Sequence, residues 1–260
     1  MFLSWFRNRR RRRMTAEPFP EPWNQIIAAN VRHVACLPLE QQQRLRQFIR
    51  IFVAEKVWEG LQGFCITPEI QVTIAAQAGL LSMGKTQTYF EHVLSILVYP
   101  DEYLRREQDQ SPYGIVTERR TRMLGEAEWR GPVYLSWVDV LDGGRREVPG
   151  QNLVLHEFAH QLDMLNGRFA DGIPPLNSRS DLQQWLEVCE PEYQALQKRC
   201  EQRQPGVIDC YGAQNSAEFF AVLTEAFFEN ARALRQQHPV CYDLLADYYQ
   251  LDPAEWNIQH

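Results

Sequence analysis

Residues 156–160 read His-Glu-Phe-Ala-His, a spacing that suits a metal site on a helix. Side chains four residues apart on an α-helix differ by about 40° around its axis, so His156 and His160 project from one face and can bind a single Zn²⁺. Glu157 lies beside that face, where its carboxylate can take a proton from a metal-bound water. Two histidine ligands and one glutamate base are typical of metallopeptidases.

The residues around this motif predict a helix. An apolar stripe at helical spacing runs beside the histidine face and consists of Leu155, Phe158, Ala159 and Leu162. The helix is expected to begin near residues 149–151 and to end at 166–167, where a glycine suits the left-handed residue that ends many helices.

A strand is predicted just before this helix. Residues 131–140 are rich in β-branched and aromatic side chains and precede a turn cluster at 142–144. A strand followed by a ligand helix is the order found in zincin metallopeptidases. There, the strand can pair with an extended peptide and place it over the metal.

A catalytic zinc needs a third protein ligand, and the residues alone leave its identity open. Asp163 returns to the histidine face, although so short a side chain is more naturally an acceptor that fixes an imidazole tautomer. Glu218 begins a second amphipathic helix, where it could instead form a capping box with Asn215. Glu225 lies two turns further along nearly the same face and is a third candidate.

These motifs resemble those of the Mlc titration factor A family of zinc-dependent peptidases, whose core is related to the catalytic domain of anthrax lethal factor. The resemblance covers most of residues 18–255. The segments that carry it are 156–167, 209–211, 217–228, 96–100, 131–133, 136–139 and 249–253.

The resemblance implies a role for each site residue. It makes His156, His160 and Glu218 the zinc ligands, Glu157 the catalytic base and Tyr211 an active-site residue. A phenol near the metal can donate to the oxygen that gains negative charge during water attack, which gives Tyr211 a physical rationale of its own. The implied reaction is hydrolysis of peptide bonds by a Glu-activated, zinc-bound water, with aminopeptidase-like action.

A binding protein is the alternative interpretation. Members of the resembled family are associated with sequestering the transcriptional repressor Mlc, so the partner would be such a repressor rather than a peptide or protein substrate. Glu157 favours catalysis, because a purely structural zinc site has no use for a base at that position.

Length and composition predict one domain of the α+β class. The chain has 260 residues, of which 45% are hydrophobic, enough for a sizeable core. We expect a zincin-like (gluzincin) fold over residues 18–260, with a small mixed sheet packed by helices and the metal cleft beside strand 132–140. The other elements predicted from periodicity are helices at 40–62, 71–81, 181–200 and 216–236 and a strand at 93–99.

Cysteine usage and apolar runs indicate a cytoplasmic protein. The six cysteines form no C-x-x-C pair, so a thiolate zinc site is not expected and the thiols are predicted to be reduced. The short apolar start precedes its positive charges, unlike a secretory signal. No apolar run approaches the roughly 18 residues of a membrane span.

The N-terminus is strongly basic, with six arginines at positions 7 and 9–13. Subtracting these six from 27 basic residues leaves 21 against 33 acidic ones, so the remainder of the chain is acidic. We predict a solvated, disordered tail over residues 1–17 that is dispensable for folding. The alternative is a segment that contacts anionic lipid or nucleic acid, with a weak contact to anionic membranes through residues 1–13. Such a tail on an acidic body argues against specific nucleic-acid binding.

Overall fold

The computed structural model describes residues 2–84, 87–100, 131–145, 150–167 and 169–256. The strands in these residues are β1 (Val57–Gly60), β2 (Ser95–Tyr99) and β3 (Val133–Ser136). The helices are α1 (Phe2–Ala16), α2 (Glu21–Asn30), α3 (Leu39–Glu55), α4 (Pro68–Leu80), α5 (Trp137–Arg145), α6 (Leu153–Asp163), α7 (Arg179–Glu201), α8 (Ser216–Glu229), α9 (Ala231–Gln237) and α10 (Pro239–Tyr249). Short 3₁₀ turns cover Arg32–Cys36, Met164–Asn166, Cys210–Ala213 and Pro253–Glu255.

The described strands form one sheet in the order β1-β2-β3, and both pairings are parallel. Trp58 lies opposite Ile96, and Val98 lies opposite Leu135. The prediction of a mixed sheet is therefore wrong for these strands. The chain between β1 and β2 contains α4, and such a crossover returns the second strand parallel to the first. A small sheet packed by helices agrees with the predicted α+β class, while the zincin-like core stays a prediction.

Helix α4 forms the centre of the core. Every residue from Val72 to Leu80 is buried, and the helix packs against α2, α3, α5 and α6. Thr67 caps its first turn by accepting from the backbone N–H of Ile70. A Cβ at Gly79 would lie 2.4 Å from Cδ1 of Leu45, so the glycine allows α3 and α4 to approach closely. This core supports α6, the helix that carries the histidine motif.

The predicted helix over 40–62 is interrupted. Helix α3 ends at Glu55, and the chain continues as β1, in which Val57 is 62% exposed. The Nζ of Lys56 is buried and donates to the carbonyls of Phe90 (2.6 Å) and Val93 (2.9 Å). These bonds, together with pairing to β2, hold the segment extended against its helical periodicity.

The predicted strand 131–140 is also shorter than expected. It ends at Ser136, whose Oγ accepts from the backbone N–H of Asp139 at 3.3 Å, and α5 follows immediately. The predicted helix over 216–236 divides into α8 and α9 at Asn230. The predictions for 71–81, 93–99 and 181–200 are confirmed by α4, β2 and α7.

The segment predicted to be a disordered tail is instead helix α1. Its anchor is Arg11, which is buried and donates to Glu55 and Glu91 at 2.9 Å each. The Arg11 guanidinium also lies 4.3 Å from the ring centroid of Tyr89. One arginine of the run is therefore buried in the protein. Periodicity could not distinguish it, because the run consists of identical residues and the others are exposed.

The prediction that all cysteines are reduced is wrong for one pair. Cys200, near the end of α7, forms a disulfide with Cys210 at the start of a 3₁₀ turn, while Cys36, Cys65, Cys189 and Cys241 are free. Among the described residues, we find no helix whose length and apolar character would let it cross a membrane.

Candidate metal centre

The start of α6 is fixed by Asn152. Its side chain accepts from the backbone N–H of Leu155 at 3.0 Å and caps the helix, close to the predicted range of starting points. The apolar stripe of α6 is buried in the core. The adjoining face carries His156 and His160, whose ring centroids are 4.9 Å apart.

Helix α8 packs against α6 and supplies the carboxylate that reaches both histidines. Asn215 caps this helix by accepting from the backbone N–H of Glu218 at 2.9 Å. The side chain of Glu218 is directed at the imidazoles, so this residue takes part in the cap through its backbone and in the site through its carboxylate. Only half of the capping box proposed from the sequence is formed: Asn215 caps the helix, while the Glu218 carboxylate faces the imidazoles.

Three side chains converge at the centre of the site. Oε2 of Glu218 lies 3.2 Å from Nε2 of His156 and 3.4 Å from Nε2 of His160. One ligand atom from each of the three residues lies within 4.8 Å of the others, and all three residues are buried. Ligands of a tetrahedral zinc at about 2.0–2.1 Å are themselves about 3.3 Å apart. The two separations to Glu218 therefore fit a cation with tetrahedral coordination.

The hydrogen bonding of these atoms also fits a bound cation. Nε2 of His156 and Oε2 of Glu218 are buried, yet neither makes a hydrogen bond of normal geometry to any residue that the structure describes. Buried polar atoms nearly always have a partner, and an ion or an ordered water commonly satisfies those that no protein group reaches. Two imidazole nitrogens and a carboxylate oxygen are also a ligand set that zinc prefers.

The electrostatics of the site favour positive charge. Burial alone would lower the pKa of His156, but the carboxylates of Glu218 and Glu225 raise it to about 10. Burial alone would raise the pKa of Glu218, but the imidazoles of His156 and His160 lower it to about 2. Both shifts stabilise a positive charge between the histidines and the carboxylate, which is what a metal cation supplies.

Glu225 supports His156 from behind and is not one of the three converging residues. Its Oε1 lies 2.8 Å from Nδ1 of His156, and its Oε2 accepts from the backbone N–H of Asn152 at 2.6 Å. A carboxylate can only accept, so in the neutral ring the proton is on Nδ1, and the lone pair of Nε2 is then directed at the site. The sequence left Glu225 open as a rival ligand; the structure makes it the residue that fixes the tautomer.

Asp163 has neither of the roles that the sequence suggested. It is fully buried, and its two carboxylate oxygens accept from the backbone N–H groups of Gly172 (2.7 Å) and Ile173 (3.2 Å). Burial, reinforced by the neighbouring Asp171, raises the pKa of this carboxyl to about 7. Asp163 therefore anchors the loop after α6.

Glu157 is partly exposed, next to His156 on α6. The pKa of its carboxyl is raised above the ordinary value, chiefly by burial. The carboxylates of Glu218 and Glu225 add to this increase, and the two histidines oppose it. All four of these groups are close enough to influence its charge, so Glu157 borders the place where the ligand atoms converge.

Tyr211 reaches the site from the 3₁₀ turn that follows α7. Its ring centroid lies 5.8 Å from that of His156. The turn is shaped by Asp209, which accepts from the backbone N–H of Tyr211 at 2.8 Å, and by the Cys200–Cys210 disulfide. Tyr211 therefore stands beside the histidines although 51 residues separate it from His160 in the chain.

A buried polar chain continues away from the site, and the sequence did not reveal it. Nδ2 of Asn152 donates to Oε1 of Glu229 at 3.0 Å, and Glu229 also forms an ion pair with Arg32. His33 lies 3.5 Å from the same carboxylate and is fully buried, which lowers its pKa. An Asn at a helix start is the only local signal, and it does not identify its partner 77 residues away.

Comparison with known proteins identifies the family of this chain. The model of the family described as Glucose-regulated metallo-peptidase M90 matches residues 5–250. The chain belongs to this family. A metallopeptidase family agrees with the convergence of His156, His160 and Glu218.

Curated relatives support the same assignment. An uncharacterized protein of Synechocystis sp. is 37% identical over 254 residues, which are 97% of this chain and 90% of the relative. The Mlc titration factor A of Edwardsiella ictaluri is 31% identical over 90% of this chain and 88% of its own length. That of Yersinia pestis is 30% identical over 96% and 89%. The resemblance to the Mlc titration factor A family is thus confirmed, and the match includes most of α1.

Proposed function

We propose that the protein is a zinc-dependent peptidase in which His156, His160 and Glu218 hold the metal and Glu157 is the general base. The observation that carries this proposal is the convergence of three buried residues, with Oε2 of Glu218 3.2 and 3.4 Å from the two imidazole nitrogens, beside Glu157 on the histidine helix. The membership of a metallopeptidase family supports it.

Each residue then has a distinct task in hydrolysis. Zinc supplies Lewis-acid polarisation of the substrate carbonyl and lowers the pKa of water. Glu157 accepts the proton of the attacking water and returns it to the leaving amine. The hydroxyl of Tyr211 donates to the carbonyl oxygen as negative charge develops there. Glu225 keeps His156 in the tautomer that leaves Nε2 free for the metal.

The substrate backbone would lie along β3. This strand is at the edge of the sheet within the described residues, and it packs against α6, which carries Glu157. An edge strand offers unpaired backbone N–H and C=O groups to an extended peptide. Pairing there would bring a peptide bond towards the histidines.

Aminopeptidase-like action on small or unstructured substrates is the specificity that the family resemblance implies. Comparing each peptide with its N-acetylated form tests this point. An aminopeptidase loses activity on the blocked form, whereas an endopeptidase cleaves both.

The decisive experiment compares wild type with Glu157→Gln in zinc-loaded form. The wild type should contain about one zinc per chain and hydrolyse peptides, and the variant should keep zinc and fold but lose turnover by about 10²–10⁴-fold. Glu190→Gln, an exposed carboxylate on α7, is the matched control and should behave as wild type. Equal turnover in the Glu157 variant would refute its role as base.

A regulatory binding protein is the second candidate. Two of the relatives are named Mlc titration factor A, which indicates a protein partner for those relatives. Under this proposal the chain would sequester a transcriptional repressor of the Mlc type. Absence of hydrolysis across a broad peptide library, together with co-elution of a purified Mlc-type repressor in gel filtration, would favour binding over catalysis.

A further inference from the structure

Helix α1 carries an exposed cationic surface. Five of its arginines are exposed, and the helix contains no acidic residue. Among the residues that the structure describes, none of the five forms a salt bridge. We define the α1 cationic face as these five side chains, namely Arg7, Arg9, Arg10, Arg12 and Arg13.

An apolar cluster borders this face at the amino end of the helix. Trp5 is 55% exposed, Phe6 60%, Val57 62% and Leu94 56%. Phe6 and Leu94 line the same open groove of about 470 Å³, together with Arg7 and Arg10. Val57 adjoins Leu94 through the hydrogen bond from its backbone N–H to the Leu94 carbonyl, at 2.9 Å.

The face is held in place by the protein body. Arg11 points inward from α1 and donates to Glu55 and Glu91, so these two nearby carboxylates are engaged by the buried arginine. The guanidinium of Arg9 lies 5.4 Å from the ring centroid of Trp5. A partner would therefore bind a surface that is already ordered. Its binding would cost less conformational entropy than binding to a disordered tail.

We propose that α1 docks the protein on anionic lipid bilayers, with the α1 cationic face against the headgroups and Trp5, Phe6 and Leu94 in the interfacial layer. Exposed apolar residues rimmed by arginines fit a surface that is charged outside and apolar just beneath. Basic residues near an anionic leaflet each contribute to binding, and aromatic side chains favour the interface.

Charge complementarity favours a membrane over a nucleic acid. The chain outside the six arginines carries 21 basic and 33 acidic residues, so an extended polyanion that wraps the body would meet net negative charge. A planar bilayer touches only the protruding face. A phosphate backbone would not bury the apolar cluster, whereas a bilayer would remove its apolar surface from water, which is favourable.

Co-sedimentation of the full chain with vesicles tests the proposal. Vesicles of phosphatidylcholine with about 30% phosphatidylglycerol should sediment the protein at low salt, and binding should fall by roughly tenfold or more at high salt. Vesicles of phosphatidylcholine alone should bind much less. Equal sedimentation with both vesicles would overturn the proposal.

Two charge-matched triple variants locate the contact. Arg9→Gln, Arg12→Gln and Arg13→Gln together should abolish most sedimentation, while Arg179→Gln, Lys198→Gln and Arg203→Gln, all exposed on or just after α7, should leave it unchanged. All six side chains are exposed, so unchanged circular dichroism spectra are expected. An equal loss in both variants would show that net charge alone matters and would overturn the proposal.

A third variant and a competing ligand complete the test. Trp5→Ser with Phe6→Ser should reduce sedimentation at intermediate salt, where the apolar contribution is most visible. Fluorescence anisotropy with a 20-base-pair DNA duplex should show weaker binding than vesicles of equal charge concentration. Tighter binding to the duplex, or unchanged sedimentation of the aromatic variant, would contradict membrane docking.

Discussion

The Glu225 carboxylate accepts a hydrogen bond from the Nδ1–H of His156, with Oε1 2.8 Å from Nδ1, on the side of the ring opposite the nitrogen that faces Glu218. The same carboxylate binds the backbone N–H of Asn152, which caps the ligand helix. One buried side chain of α8 therefore fixes both the start of α6 and the tautomer of its first histidine.

We predict that Glu225→Gln weakens zinc binding by about 10–100-fold, because an outer partner of a metal-bound histidine is lost while all three ligands remain. The side-chain NH₂ of the glutamine would also face either the Nδ1–H of His156 or the backbone N–H of Asn152, and neither of these donors can accept a hydrogen bond. Glu218→Gln should weaken binding much more. Competitive titration with a zinc chelator measures both, with Glu190→Gln as control. Equal losses in the Glu225 and Glu218 variants would make Glu225 a ligand.

Asp163→Asn should lower stability without removing zinc. The amide oxygen can still accept from Gly172, but the bond to Ile173 is lost, and the backbone N–H of Ile173 keeps Asp171 as its acceptor at 3.0 Å; the expected cost is about 1 kcal/mol. Urea unfolding gives the free energy, and elemental analysis gives the zinc content. Loss of zinc from a folded Asp163→Asn protein would make this residue a ligand after all.

Sequence patterns located the site because its parts are local. The H-E-x-x-H helix, its apolar stripe and the capping sequence before Glu218 all follow from spacing within one element, and α6 and α8 lie where periodicity predicts helices. The roles of Glu225 and Asp163 stayed open because they depend on which carboxylate of one element faces an imidazole or an amide of another. Periodicity predicts which face of a helix a residue occupies, but it gives no distance between residues of different elements.

The same reason explains the errors in the fold. Lys56 turns an apparent helix into β1 by binding carbonyls more than 30 residues away, and Arg11 binds carboxylates 44 and 80 residues away. Cys200 and Cys210 meet because α7 ends just before the chain turns back into the site. Each of these features is a long-range contact or a chain reversal, which composition and spacing do not record.

Tyr211→Phe should lower kcat by about 10²–10³-fold with little change in KM, because the lost hydroxyl acts on charge that develops in the transition state. Zinc content and melting temperature should stay as in wild type. Tyr193→Phe is the control, since its hydroxyl bonds to the carbonyl of Ala213 in the same 3₁₀ turn. An equal fall in kcat for both variants would assign Tyr211 to shaping the turn.

Breaking the Cys200–Cys210 disulfide should destabilise the protein. The bond closes a loop with a sequence separation of 10, for which the chain-entropy contribution is about 2–3 kcal/mol. Cys200→Ser with Cys210→Ser should therefore melt at a lower temperature, and dithiothreitol should lower the wild-type melting temperature towards the same value. Cys65→Ser, at an exposed free thiol, is the control. No response to either treatment would contradict a structural role for the bond.

Arg11→Leu should destabilise the protein by about 1–3 kcal/mol, because Glu55 and the more exposed Glu91 both lose the buried guanidinium that they share. The exposed Arg12→Gln should have little effect. This reverses the expectation that the N-terminal segment is dispensable, so deletion of residues 2–16 should also lower the melting temperature.

The pH dependence of stability provides an independent check on the Arg11 contact. Burial raises the pKa of Glu91, but Arg11, together with the backbone N–H groups of Glu91 and Tyr89, outweighs burial and lowers the pKa below its ordinary value of 4.5. A carboxyl with a lowered folded-state pKa stabilises the fold above its unfolded pKa and loses this contribution as pH falls through the folded value. Wild-type stability should therefore decline below about pH 4.5, and the Arg11→Leu protein should lose less over the same range, since its Glu91 pKa is lowered less. Urea titrations between pH 3 and 7 measure both slopes, and parallel curves would mean that the guanidinium does not hold this carboxylate in solution.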